Sequence, residues 1–304
     1  MKKKRRLFAR KITSIICIVS LVLSFMPRLS LVVNAETSVE YIDRIWNGSE
    51  VTEETNSVTE YITISASTTS WESAGTETWY VLSSDITISS RIEVSGNVNV
   101  ILSDGCTLTA SKGIHVTGEN SLTIYGQSIG NGSLISTGED RDAGIGGNAD
   151  EPCGTVTING GIVDAKGATA DYQHVGDNIY CGGAGIGSGS GHNYKDNDNN
   201  TVTVYVDSNG FITINGGTVT ATGQSGGAGI GGGYYSHFGT ITINGGDVTT
   251  TGSSAPSNSG SAGIGGGTYC GEGTIIINGG NIMSTGRSAG IGFGYGGYKY
   301  KHYN

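Results

Sequence analysis

Aromatic residues with polar tips recur soon after a glycine-rich tetrapeptide, AGIG, in this 304-residue chain. The set comprises Tyr194, Tyr234, Tyr235, His237, Tyr269 and Tyr295. Flat rings of this kind pack against the faces of sugars while their polar atoms hydrogen-bond to sugar hydroxyls. If successive copies lie side by side, the pattern predicts an exposed ridge that binds carbohydrate. The alternative is that these rings only cover the core at the corners of the fold.

An acidic stretch offers oxygen ligands for a cation. Asp196, Asp198 and Asn200 fall at alternating positions, and Asp207 stands at the twelfth place counted from Asp196. A calcium loop of the EF-hand type needs glycine at the sixth place, which here is Thr201, so that motif is excluded. Two interpretations remain, a looser calcium site and a solvated acidic loop. Calcium is the single cofactor that the sequence suggests.

Catalysis has weaker support in the sequence. A glycan hydrolase needs two positioned carboxylates, and a lyase needs a base together with a cation. Such a rival activity would use residues of two inserted segments, namely Asp171, His174, Asp177 and His192. No pairing of these groups recurs along the chain, so the sequence favours a non-catalytic binding module. A structural stalk without a ligand is a third interpretation.

The elements that would position these residues are repeats. AGIG begins at Ala143, Ala184, Ala228, Ala262 and Ala289, and an Asn-Gly-Gly run stands between consecutive copies, with asparagines at Asn159, Asn215, Asn244 and Asn278. The offset from alanine to asparagine is 16 residues in three copies. From Ala184 to Asn215 it is 31 residues, so that copy carries an insertion. Three short strands per repeat, separated by glycine turns, describe one coil of a parallel β-solenoid.

Side-chain alternation agrees with that architecture. Before each Asn-Gly-Gly run, aliphatic residues such as Val156 and Ile158 share one parity, while Thr155 and Thr157 share the other. Glycine and β-branched residues oppose helix throughout these segments. The asparagines are expected to stack and hydrogen-bond along the solenoid axis rather than to bind a ligand.

The motifs AGIGGG, GTITINGG and TVTATG, together with the stretch from Val100 to Gln127, resemble the glycine-rich repeat proteins found on the surfaces of Gram-positive bacteria. This resemblance implies an all-β, right-handed parallel β-helix like that of the pectate lyases, with three strands per coil. Relatives in the wider superfamily that act on pectin carry a Gly-His-Gly signature. Here the comparable residues are Gly191, His192 and Asn193, which puts hydrolase activity in doubt.

The amino terminus predicts export. Seven basic residues precede an apolar run from Ile12 to Met26, and Val33-Asn34-Ala35 resembles a cleavage site, so residues 1–35 are predicted to form a helical signal peptide. A retained membrane anchor is the alternative. Residues 36–77 are expected to form a polar linker or cap, and 78–304 the β-helix, which would be truncated at an open coil after the fifth AGIG. Both alternatives place the body outside the cytoplasm, secreted or at the cell surface.

Charge and cysteine content limit the partners. Loss of residues 1–35 would leave nine basic residues against 26 acidic ones, which disfavours nucleic acid and anionic surfaces and leaves a polysaccharide or surface glycan as the expected partner. A membrane would be reached only through an uncleaved signal or an anchor elsewhere. Among the remaining cysteines, Cys153 and Cys181 lie in adjacent turns, where a disulfide is geometrically allowed.

Overall fold

The structure is a computed structural model, and it describes residues 38–73, 75–169, 181–196, 198–207, 210–255 and 259–296. These residues form 27 β-strands, numbered here along the chain, and contain no α-helix. Consequently, none of the described segments has the helical length and hydropathy needed to cross a bilayer. The predicted signal peptide lies outside the described residues.

Three parallel sheets contain most of the strands. Sheet I consists of β3 (Ile62–Thr63), β5 (Thr78–Leu82), β8 (Asn97–Leu102), β11 (Ser121–Gly126), β14 (Thr155–Ile158), β19 (Phe211–Ile214), β22 (Thr240–Ile243) and β25 (Thr274–Ile277). Sheet II consists of β6 (Ile86–Ile88), β9 (Thr107–Ala110), β12 (Ser133–Thr137), β15 (Ile162–Lys166), β20 (Thr218–Thr222), β23 (Asp247–Thr251) and β26 (Asn281–Thr285). Sheet III consists of β4 (Ser70–Glu72), β7 (Ile92–Ser95), β10 (Ile114–His115), β13 (Ile145–Gly146), β16 (Ile186–Gly187), β21 (Ile230–Gly231), β24 (Ala262–Gly265) and β27 (Ala289–Gly292).

The chain visits the three sheets in turn, so it folds as a right-handed parallel β-helix, as the sequence predicts. Equivalent residues pair between coils: Val156 is in register with Ile212, and Ile212 with Ile241. These three side chains are at most 4% exposed, and every coil adds one such layer to the core. Each buried aliphatic side chain contributes about 1.5–3 kcal/mol, so stacked rows rather than single contacts stabilise the solenoid.

Glycine in AGIG is required by close backbone approach. Gly187 has a φ of +142°, and a Cβ placed there would lie 1.9 Å from the carbonyl oxygen of Gly231 in the next coil. A Cβ at Gly185 would lie 2.8 Å from the carbonyl oxygen of Ala165 in sheet II. Neighbouring coils at Gly187, and sheets II and III at Gly185, therefore approach too closely to leave room for a side chain.

Stacked asparagines line the corner between sheets I and II, called here the asparagine corner. Nδ2 of Asn215 donates to Oδ1 of Asn159 at 2.8 Å, and the same bond joins Asn244 to Asn215 and Asn278 to Asn244, both at 2.7 Å. Because every donor points toward the amino terminus, the ladder has a direction. This arrangement agrees with the structural role expected from the sequence.

The amino-terminal segment corrects the expected boundaries. Strands β1 (Val39–Trp46) and β2 (Val51–Val58) form an antiparallel hairpin, and β3 and β4 already belong to sheets I and III. The β-helix therefore begins before Thr78, and residues 38–58 are neither a linker nor a loose cap. The hairpin joins the ladder, since Nδ2 of Asn159 donates to Asp43 Oδ1 at 2.9 Å and Nη1 of Arg44 donates to the Asn159 carbonyl oxygen at 2.6 Å.

The inserted segments leave the β-helix and return close to where they started. Thr169 forms an antiparallel bridge with Gly182 across the first insertion, whose residues 170–180 are not described. The second insertion contains another antiparallel hairpin, β17 (His192–Lys195) with β18 (Thr201–Val204). At the far end, Ile277 and Ile291 occupy inward rows but are 44% and 45% exposed, because the described residues place no further coil against them.

The ladder gives a stability prediction. Replacing Asn215 by Ala removes one donor and one acceptor, and leaves Oδ1 of Asn159 and Nδ2 of Asn244 without their ladder partner. We expect the free energy of unfolding, measured by urea denaturation, to fall by about 2–3 kcal/mol.

Asn281→Ala is the matched control, because Asn281 is exposed and makes a single side-chain bond of 3.3 Å to Asp247. Equal losses in the two variants would contradict the role assigned to the ladder.

Candidate functional site

The turn that connects sheet III to sheet I, called here the aromatic corner, has the same unusual backbone in successive coils. The seventh residue after the alanine of AGIG has a positive φ in four of the five repeats: Asp150 (65°), Tyr235 (54°), Tyr269 (66°) and Gly296 (72°). A left-handed conformation costs about 1–2 kcal/mol for a residue with a Cβ, so glycine is the residue expected there. Two coils nevertheless place tyrosine at this position. Strain of this kind is concentrated at functional sites in proteins.

Four tyrosines make contact at this corner. The rings of Tyr235 and Tyr269 are stacked, with centroids 5.3 Å apart and an interplanar angle of 20°. Tyr234 meets both of them edge-on, at 4.4 and 5.6 Å, and Tyr295 meets Tyr269 edge-on at 6.0 Å. The cluster therefore runs along the solenoid axis across three coils. We call these four residues, together with Tyr205, the tyrosine cluster.

Exposure within the cluster differs from the sequence-based expectation of a uniformly exposed ridge. Tyr295 is 54% exposed, while Tyr235 and Tyr269 are half-buried. Tyr234 is only 8% exposed, so the prediction of an exposed ring is wrong for this residue. Its ring lies over Gly226, where an added Cβ would approach ring atom Cδ2 to 2.5 Å. The buried ring of Tyr234 therefore packs beneath the rings of Tyr235 and Tyr269.

The sequence did not predict two residues near the second hairpin that contact the tyrosine cluster. Tyr205 is 43% exposed and meets Tyr235 edge-on at 5.5 Å, and Nδ2 of Asn193 donates to the Tyr235 hydroxyl at 2.9 Å. The signal for them in the sequence is weak, because an insertion has no equivalent in the other repeats. Asn193 of hairpin β17–β18 thus fixes the position of the Tyr235 ring.

The other predicted site residues lie apart from the cluster. Tyr194 is 46% exposed and its ring faces His192 at 5.9 Å. His237 accepts the Glu272 N–H through Nδ1 at 3.1 Å, and its Nε2 lies 3.7 Å from the Cys270 sulfur. Tyr194 and His237 thus flank the rings without contributing to the stacked surface.

The predicted calcium ligands are not gathered together. Oδ1 of Asp196 accepts the N–H groups of Asp198 and Asn200 at 2.9 and 2.8 Å, which closes the tip of hairpin β17–β18. Asp207 lies instead 3.9 Å from His237 on the following coil. In the part of the chain that the structure describes, no three His, Cys, Asp or Glu side chains form a cluster suited to a metal ion. Calcium binding stays a prediction.

Of the residues suggested for a rival catalytic activity, Asp171, His174 and Asp177 lie outside the described residues. His192 is described, and its Nδ1 lies 2.7 Å from Oδ1 of Asp150. Arg141 reaches both carboxylate oxygens of Asp150 at 3.4 Å. The Asp150 carboxylate is thus held between His192 and Arg141.

Burial alters the proton affinity of several side chains. Desolvation raises the pKa of Tyr234 and, less strongly, that of Tyr235, so both phenols stay neutral at physiological pH.

Desolvation also raises the pKa values of Cys153, Cys181 and Cys270 to about 12. Cys106, Cys153, Cys181 and Cys270 are all free thiols, so the disulfide allowed between Cys153 and Cys181 is not formed. Buried neutral thiols are inert packing groups rather than nucleophiles.

Fold and corner together define a parallel β-helix repeat protein with an aromatic surface along one corner. A protein-family model described as a beta helix repeat matches residues 156–190, 212–234, 241–268 and 275–295. These segments include Tyr234 and Tyr295, whereas Tyr235 and Tyr269 each follow directly after a matched segment. Comparison with curated proteins and with solved structures gives no match.

The left-handed backbone at Tyr269 gives a testable prediction. Both Tyr269→Ala and Tyr269→Gly remove the ring, but only alanine keeps the unfavourable left-handed conformation. We expect the glycine variant to be more stable than the alanine variant by about 1 kcal/mol, measured by thermal unfolding. A more stable alanine variant would show that the position is not strained.

The buried phenol of Tyr234 gives a pH prediction. Its pKa is raised from 10.0, so the neutral phenol contributes stability that is fully present below pH 10 and is lost as the pH rises further. We expect Tyr234→Phe to flatten the decline of the unfolding temperature above pH 10. Tyr194→Phe removes the hydroxyl of an exposed ring and is the control; parallel declines in both variants and the wild type would contradict this assignment.

Proposed function

We propose that this protein is a non-catalytic carbohydrate-binding module that acts outside the cell. The observation that carries the proposal is the pair of stacked tyrosines, Tyr235 and Tyr269, in left-handed positions. At both positions a left-handed backbone that costs about 1–2 kcal/mol is combined with an aromatic ring at the surface. Packing alone gives no reason for this choice, because Gly296 occupies the same position one coil further on.

The chemistry of the cluster suits a neutral glycan. The exposed ring of Tyr295 can offer an apolar face to sugar C–H groups, and the hydroxyls of the stacked phenols donate and accept hydrogen bonds. The rings of successive coils follow the solenoid axis with centroids 5.3 and 6.0 Å apart, so several weak contacts add along one polymer chain. The excess of acidic residues disfavours polyanionic glycans.

Export supports an extracellular ligand. The predicted signal peptide directs the chain out of the cytoplasm, where polysaccharides and surface glycans are the abundant polymers. The resemblance to surface proteins of Gram-positive bacteria points to the same location. An adhesive role follows if the bound glycan belongs to another cell.

Affinity electrophoresis in gels containing neutral polysaccharides tests this proposal. Each ring lost from a stacked site should weaken binding by about 0.5–1.5 kcal/mol, so Tyr269→Ala combined with Tyr295→Ala should lower retention about tenfold. Phe211→Ala is the matched control, since Phe211 is 55% exposed on sheet I and outside the tyrosine cluster. Retention that is equal in both variants and the wild type would refute binding by the cluster.

A further inference from the structure

A separate groove lies at the other end of the sheet I strands, between the amino-terminal hairpin and the asparagine corner. It encloses about 600 Å³, within the range of about 300–1,000 Å³ that is usual for small-molecule sites. The hairpin supplies one wall through Arg44, Trp46, Glu50 and Glu53. The other wall is the edge of three successive coils, which carries Asp247 and Asn278.

The groove is built by specific contacts. Arg44 lies across the asparagine corner, where a Cβ at Gly216 would meet its Cδ at 2.4 Å, so glycine is needed for the hairpin to approach. The Arg44 guanidinium bonds to Glu53 at 2.7 Å and to the Asn159 carbonyl oxygen at 2.6 Å. At the other end of the hairpin, Tyr41 contacts Trp79 and Tyr125, each with ring centroids 4.7 Å apart. Contacts at both ends therefore fix the wall that carries Trp46.

The lining indicates the chemistry of the ligand. Three carboxylates face one guanidinium that is already paired with Glu53, so the groove disfavours anions. Among the described residues, these carboxylates are not part of a cluster suited to a metal ion. What the groove offers is an indole ring surrounded by planar carboxylate and amide groups. Such groups accept and donate the paired hydrogen bonds that sugar hydroxyls make, while the indole covers the apolar face of a sugar ring.

The asparagine ladder adds hydrogen-bonding groups to the groove. Asn215, Asn244 and Asn278 all line it, and Nδ2 of Asn278 donates to Oδ1 of Asn244 at 2.7 Å. An amide nitrogen carries two N–H groups and an amide oxygen two lone pairs, so a rung bonded to its neighbours keeps capacity for a ligand. Asp247 lies on the middle one of the three coils.

We propose that the groove between Trp46 and the asparagine corner is a second saccharide-binding site, which takes a neutral oligosaccharide lying along the solenoid axis. It spans three coils, or about 10 Å, which is enough for a short stretch of a glycan chain. The site shares its ligand class with the tyrosine cluster, but it does not depend on that cluster. A module with both sites would bind one polymer, or two neighbouring polymers, through the two corners that border sheet I.

Tryptophan fluorescence reports on this groove. The chain has three tryptophans; Trp71 is fully buried, and Trp79 is packed between Tyr41 and Tyr125. Titration of the full chain with neutral β-1,4-linked hexasaccharides of glucose, xylose and mannose should shift the emission of Trp46 for at least one of them. The same sugar should bind Trp46→Ala about tenfold more weakly by calorimetry, which corresponds to the loss of one stacked ring.

Two further variants make the outcome decisive. Ile45→Ala changes the neighbouring residue, which is 49% exposed and does not line the groove, and should bind as the wild type does. The double variant Tyr269→Ala with Tyr295→Ala should keep the Trp46 signal even where gel retention is lost. If no hexasaccharide changes the emission, or if Trp46→Ala binds with unchanged affinity, the groove proposal is wrong. The proposal for the tyrosine cluster would stand or fall on gel retention alone.

Discussion

Hydrogen bonding between the backbones of successive coils is the constraint on which the rest of this structure depends. Each strand of the three sheets pairs in register with the equivalent strand of the next coil, so a residue type that recurs in the repeat becomes a row along the axis. Aliphatic rows fill the interior, where Ile158, Ile214 and Ile243 are fully buried. Rows that face outward become surfaces with a fixed spacing. A ligand of these surfaces therefore contacts side chains that are arranged in such rows.

The two corners use this repetition in opposite ways. At the asparagine corner the side chains hydrogen-bond to one another along the axis, which stabilises the stack. At the aromatic corner four of the five repeats have a left-handed residue, and Tyr235 and Tyr269 stand where glycine would be free of strain. A stable row and a strained row therefore run in parallel on one scaffold. Only the strained row needs a functional explanation.

Segments outside the repeat add side chains and walls to these rows. The hairpin β17–β18 brings Asn193 to the Tyr235 hydroxyl, and Tyr205 follows it into the tyrosine cluster. At the other corner, the amino-terminal hairpin ends the asparagine ladder on the Asp43 carboxylate and encloses a groove beside it. A regular solenoid has only shallow surfaces, because its side chains alternate and its coils are alike. Concave sites arise where such an irregular segment is packed against it.

The sequence by itself determined the architecture of this protein, because the spacing of AGIG and Asn-Gly-Gly and the parity of the aliphatic residues are local properties that every coil repeats. It also identified the asparagine row and most of the tyrosine cluster. The hairpin signal Gly48-Ser49 is visible in the chain: the Asn47 N–H donates to the Glu50 carbonyl oxygen at 3.0 Å, and Gly48 has a positive φ at the first central position of the turn. Where the hairpin docks is not visible, because its contacts with Asn159 and Gly216 join residues more than a hundred positions apart. Only the tertiary structure decided the burial of Tyr234, the recruitment of Tyr205 and the groove at Trp46, since each depends on segments that have no equivalent in the repeat.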